Sequence, residues 1–123
     1  MSLEAFTAAY IECALWSSTD ESDESGGEPL DQNYGPEDIA PATLDAMRAE
    51  CRAFLDACAA KGIDVAELDS EQTGHDFWLT RNRHGAGFWD RGMGDLGRTL
   101  TDIAHAAGGA DLYVGDDGKV YQS

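Results

Sequence analysis

The sequence predicts an α+β fold: three helices packed on a small, mainly antiparallel sheet of two β-hairpins, in the order ααββαββ. Three observations predict it. Apolar stripes at helical spacing run through residues 41–61 and 93–107, each closed by glycine. An Asp-Gly step lies between alternating apolar residues near the C-terminus, a hairpin signal. Aromatic-rich pieces at residues 77–80 and 88–89 flank a stretch of turn residues.

The elements follow in order. Leu3, Phe6, Tyr10, Ile11 and Ala14 keep helical spacing behind Ser2, a capping residue, so a first helix is expected over residues 3 to about 16. Residues 17–38 then lose periodicity. They hold eight acids and no base, and Gly26, Gly27, Pro29, Gly35 and Pro36 oppose regular structure, so a long acidic loop is expected there. Leu30 and Tyr34 are expected to pin its second half to the core. Pro41 suits the first turn of a second helix, in which Leu44, Met47, Cys51, Phe54, Leu55 and Cys58 form one stripe up to Lys61-Gly62.

Residues 63–74 read as a connector with one short turn around Asp69-Ser70-Glu71-Gln72. Phe77-Trp78-Leu79-Thr80 and Phe88-Trp89 read as the strands of a first hairpin. Alternation puts Phe77 and Leu79 on one face and Asp76, Trp78 and Thr80 on the other, so both faces carry apolar bulk. Met93, Leu96, Leu100, Ile103, Ala104 and Ala107 mark a third helix that ends at Gly108-Gly109. The last hairpin pairs residues 111–114 with 119–121 around Gly115-Asp116-Asp117-Gly118. No connection calls for a parallel crossover, and the length suits one domain over residues 1–123.

Charge dominates the composition. Twenty-four acids against eight bases give a formal charge of −16. Residues 1–50 hold twelve acids and one base, Arg48, whereas residues 51–123 hold twelve acids and seven bases. Such a field repels nucleic acid and anionic membrane and attracts basic proteins. No apolar run approaches the roughly 20 residues of a membrane span, and Met1-Ser2-Leu3-Glu4 has no export-type signal, so a cytoplasmic protein is expected. Cys13, Cys51 and Cys58 lack any tight CxxC spacing and read as small buried hydrophobes, the last two on one helix face.

The acidic run from Asp20 does not fit a calcium loop. The sixth position, where glycine is needed, is Ser25, and the twelfth is Asp31 rather than Glu. A solvated acidic surface that imitates phosphate charge fits better, because mimicry needs dense, spaced negative charge rather than a particular side chain. The segment His75–Gly92 concentrates two histidines, two tryptophans, two aspartates and three arginines. His75, Asp76, His84 and Asp90 have metal-competent chemistry, but their spacing matches no ligand pattern. Pairing of Asp76 and Asp90 with Arg81, Arg83 or Arg91 is the simpler expectation, with Trp78 and Trp89 in the core. No Gly-x-Ser-x-Gly occurs, and Gly85-Ala86-Gly87 does not open a helix after a strand. Neither an enzyme nor a resident metal or cofactor is therefore expected.

The runs His75-Asp76-Phe77-Trp78-Leu79-Thr80-Arg81-Asn82, His84-Gly85-Ala86-Gly87-Phe88-Trp89-Asp90-Arg91-Gly92 and Asp111-Leu112-Tyr113-Val114-Gly115-Asp116-Asp117-Gly118 resemble a family of small acidic bacteriophage and prophage proteins of uncharacterised activity. Tyr10–Ser18 and the Asp38-Ile39-Ala40-Pro41 region are similar too, so the resemblance spans nearly the whole chain. Arg83 departs from it, since the family pattern has glycine there. The resemblance implies a mobile-element origin and a bacterial-host cytoplasm, and it carries over no catalytic residue.

The expected function is inhibition of a host nucleic-acid-binding defence complex, of the anti-restriction or anti-CRISPR kind, by a DNA-mimicking surface. The partner is a basic host protein, with no direct binding of nucleic acid or membrane. Asp20, Glu21, Asp23, Glu24, Glu28, Asp31, Glu37 and Asp38 are the candidate binding carboxylates, with Trp89 and Arg91 of the first hairpin as anchors. Two alternatives stand beside it. One is an accessory protein that binds a host enzyme through that hairpin, and the other is a small metalloprotein using His75, Asp76, His84 and Asp90.

Overall fold

The computed structural model describes residues 2–20, 28–83, 87–88 and 92–122. Among them are four α-helices and two short antiparallel ribbons, a mainly helical architecture. The helices are α1 (Leu3–Ser17), α2 (Pro41–Ala60), α3 (Ser70–Arg81) and α4 (Asp95–Ala106). The ribbons are β1 (Thr19–Asp20) with β2 (Glu28–Pro29), and β3 (Leu112–Val114) with β4 (Val120–Gln122). The ααββαββ α+β expectation is therefore overturned: the third element is a helix, and the expected first hairpin does not form.

The correction has a local cause. Asp69 accepts from the Gln72 amide at 3.0 Å and caps α3, so the chain turns helical before the aromatic run begins. Once helical, Thr73, Phe77, Thr80 and Arg81 fall on one buried face, with Gly74 and Trp78 beside it. Phe88, expected in the partner strand, lies in a turn whose amide donates to Thr80 Oγ1 at 3.2 Å. Trp89 lies outside the described residues.

α1 sits at the centre. Phe6, Thr7, Ala9, Tyr10, Ile11, Cys13, Ala14 and Leu15 are all buried, which leaves Glu4, Ala5, Ala8, Glu12 and Trp16 as its exposed stripe. Ser2 caps it, accepting from the Ala5 amide at 3.1 Å. α3 packs more extensively on α1 than on any other element. Gly74 makes that approach possible: a Cβ there would meet Phe6 O at 2.6 Å, Ala9 Cβ at 2.8 Å and Tyr10 N at 3.0 Å. These atoms are backbone or backbone-attached, so they cannot swing away. Gly74→Ala is accordingly expected to destabilise by about 1–3 kcal/mol, although alanine is the better helix former. A urea-denaturation midpoint checks this, and an unchanged or raised midpoint contradicts it.

The core beyond α1 is aromatic. Phe54 of α2 stacks on Phe77 at 4.3 Å and also on Phe6 and Phe88, both at 5.7 Å between centroids. α2 begins at Pro41, in the first turn as its fixed φ favours, and Gly62 follows its end at φ 79°. The final hairpin forms as the Asp-Gly signal predicts, with Tyr113 opposite Tyr121 and Gly118 at φ 78° in the turn. It is fastened to the helices through fully buried Val120, whose carbonyl accepts from the Ala40 amide at 2.9 Å.

Candidate functional site

The expected binding carboxylates distribute unevenly. Glu21, Asp23, Glu24 and Arg91 lie outside the described residues, as do His84 and Asp90. The register pairs Asp20 with Glu28 across β1 and β2, so the two ends of the acidic run come together. Buried Leu30 pins the returning strand, with its amide donating to Ser18 O at 2.9 Å. Asp31 and Glu37 are exposed. Asp38 instead turns inward enough to accept from the Gly35 amide at 2.8 Å, and it holds the turn before α2.

Exposed acids are not confined to this region. Glu4 and Glu12 on α1, Asp45 and Asp56 on α2, Asp64, Glu67 and Asp69 between α2 and α3, and Glu71 in the first turn of α3 all face solvent. So do Asp95 and Asp102 on α4 and Asp111, Asp116 and Asp117 around the last hairpin. The acid-rich first half of the sequence thus does not translate into a one-sided molecule. Six bases among the described residues, Arg48, Arg52, Lys61, Arg83, Arg98 and Lys119, are exposed beside these acids and offset only part of their charge. A backbone hydrogen bond, and after it the contact with Arg48 at 2.6 Å, hold the Glu4 carboxyl below its usual range.

Arg81 is the one base built into the interior among the described residues. Its Nε donates to Gly108 O at 2.8 Å and its Nη2 to Ala107 O at 3.2 Å, which caps the C-terminal end of α4. Its Nη1 donates to Tyr10 OH at 2.7 Å and to the Glu50 carboxylate. Glu50 Oε1 in turn accepts from Gln122 Nε2 at 2.8 Å, and the guanidinium lies 5.6 Å from the Phe77 ring centroid. One side chain therefore ties together α1, α2, α3, the end of α4 and β4. Burial opposes the charge on Arg81, but Tyr10 and Glu50 outweigh it and hold the group above its ordinary pKa. Burial also pushes the Tyr10 hydroxyl well up.

Above this cluster, α2 and α4 leave a groove of about 790 Å³ between them. Its walls are small residues, Ala53, Ala57 and Ala106 among them, and its floor is Phe54 and Phe77. Lys61 and Asp102 supply opposite charges at its edge, so it carries no net sign. Cys51 and Cys58 stand two turns apart in α2 and are fully buried, as is Cys13 apart from a sliver. Burial pushes the Cys13 and Cys51 thiols up to about 12 and Cys58 up to about 11, so none is a nucleophile near neutrality.

Of the alternative metal set, only His75 and Asp76 are among the described residues. His75 and Asp76 are neighbours on a helix, so their side chains diverge by about 100° around its axis. Asp76 is buried and accepts from Gln72 Nε2 at 3.2 Å. Among the described residues, no group of three or more histidine, cysteine, aspartate or glutamate side chains could hold a metal ion. The expected anchors Trp89 and Arg91 lie outside the described residues; Trp78, expected in the core, is buried in α3 and donates from Nε1 to Ser17 Oγ at 2.6 Å. The Arg81–Glu50 centre was missed: the sequence predicts local pairing of Arg81 with Asp76 or Asp90, whereas its carboxylate partner Glu50 comes from the distant α2. No helix among the described residues is long and apolar enough to cross a membrane.

Set against known proteins, the chain matches no family model, no curated protein and no solved structure.

Proposed function

We propose that this chain is an acidic binding protein of phage or prophage origin that occupies the basic, nucleic-acid-binding face of a host protein. A restriction or CRISPR-type defence complex is the target class. The observation that carries the reading is the imbalance of the exterior. Among the described residues, fifteen exposed carboxylates on α1, α2, α3, α4, the connections before α2 and α3 and the last hairpin stand against six exposed bases, Arg48, Arg52, Lys61, Arg83, Arg98 and Lys119, and Arg48 is tied to Glu4. A field of this kind raises encounter rates with a cationic groove and disfavours wrong, acidic partners. The sequence resemblance supports the mobile-element origin. Because acids cover several elements, the reading favours engagement over a broad face rather than through one loop.

Binding to a basic, DNA-binding host protein is expected to weaken as salt rises, since exposed charge pairs are screened over about 8–10 Å at physiological ionic strength. Replacing Asp20, Glu21, Asp23 and Glu24 with Asn or Gln is expected to weaken that binding stepwise, and replacing Glu67 and Glu71 tests whether the face extends to the α2–α3 connection. Titration calorimetry of each variant checks this. Affinity that ignores both sets of substitutions contradicts the proposal.

A further inference from the structure

Among the described residues, two large apolar side chains are exposed: Trp16 at 60% and Tyr113 at 49%. Single exposed hydrophobes are ordinary, but these two come from opposite ends of the chain to adjoining elements. Trp16 ends the exposed stripe of α1, β1 begins three residues later, and β1 packs beside β3, which carries Tyr113.

The tyrosine is held in place. Its ring stacks on Tyr121 with centroids 5.8 Å apart. Tyr121 OH donates to Asp117 Oδ2 at 2.5 Å, and the same carboxylate accepts from the Lys119 amide at 3.0 Å through Oδ1. Gly115 clears space for that ring, since a Cβ there would lie 2.6 Å from Tyr121 Cε2. An aromatic face ordered in advance loses little side-chain freedom when something lands on it.

The neighbouring charge states what can land. Glu12 precedes Trp16 by one turn on the same stripe, and Asp111 and Asp116 are exposed on either side of Tyr113. Lys119 is the lone base of the hairpin segment 111–122. Aromatic faces among carboxylates suit a guanidinium, which stacks flat on a ring while its N–H groups donate to acids at the edge; an ammonium does this less well.

We propose that Trp16 and Tyr113 are the anchor of the binding face and that they receive arginine side chains of the basic partner. This rests on the function proposed above and adds the residues and the partner chemistry.

The test titrates the full chain into labelled oligoarginine and oligolysine peptides of equal length, read by fluorescence anisotropy at low salt. The wild type is expected to prefer oligoarginine. Trp16→Ala with Tyr113→Ala is expected to reduce oligoarginine affinity about tenfold and to erase the preference. Thermal melts confirm that the variants fold, and Trp16→Phe, which keeps a ring, is expected to retain most of the affinity. Binding by a folded double variant equal to the wild type overturns this inference and leaves the proposed function standing. Failure of the wild type to bind either peptide overturns both.

Discussion

Arg81→Met is expected to lower the unfolding free energy by about 3–5 kcal/mol. The loss does not come from the ion pair as an attraction, because the desolvation of a buried pair cancels much of its Coulomb energy. It comes from what is left behind. The carbonyls of Ala107 and Gly108 lose their side-chain donor, and Tyr10 OH loses its donor and keeps only the 3.5 Å contact to Glu50 Oε2. Glu50 keeps Gln122 but stands beside an apolar side chain. Its side chain retains 32% exposure, so water relieves part of that cost and the lower end of the range is expected. For a chain of this size the melting temperature should fall by about 10 °C. Replacing Glu50 with Met as well should recover part of the loss, since the orphaned charge then disappears. A shift of only a degree or two for Arg81→Met would show that the cluster is incidental.

Phe77→Ala is expected to cost a similar amount, about 3–5 kcal/mol, by a different route. The ring is fully buried and contacts Phe6 at 6.1 Å, Tyr10 at 5.1 Å and Phe54 at 4.3 Å between centroids. Those neighbours lie on α1 and α2, which are fixed by other contacts, so the space would not close. Alanine gains a few tenths of a kcal/mol in helix propensity, far too little to compensate. Phe77→Leu, nearer in volume, should cost about 1 kcal/mol. Chemical denaturation ranks the two, and an alanine variant within about 1 kcal/mol of the wild type would contradict the packing described.

The two substitutions fall where sequence and structure part company. The stripe Met47, Cys51, Phe54 and Cys58 is apolar at every turn, so α2 was readable, as was the Asp-Gly hairpin between Val114 and Val120. α3 was not readable, because its buried face is written in Thr73, Gly74, Asp76, Thr80 and Arg81 rather than in aliphatic residues. A hydrophobic-period reading sees only Phe77-Trp78-Leu79 there and finds β-formers. Residues 63–74 read as a connector with a short turn around Asp69, yet Asp69 caps α3 and Gly74 is the contact point with α1.

The site divides in the same way. Net charge is legible in composition, but its placement is not. The first half of the chain holds the greater excess of acids, yet the acids of the second half also reach solvent on α4 and around the last hairpin. Arg81 meets Glu50 and Tyr10 only because three helices converge, and no local pattern encodes that meeting. Trp16 lies at the end of a helix whose other faces are mostly buried, so its exposure follows from where α1 is placed and not from its own neighbours in sequence.

The central claim is that the negative exterior of this chain replaces nucleic acid on a basic host protein. Capture of such a protein from bacterial lysate by the immobilised chain, with duplex DNA added in steps, tests it most directly. The account predicts that the captured protein binds DNA on its own and is released by duplex DNA and by raised salt together. A captured partner that stays bound in the presence of saturating duplex DNA would contradict it.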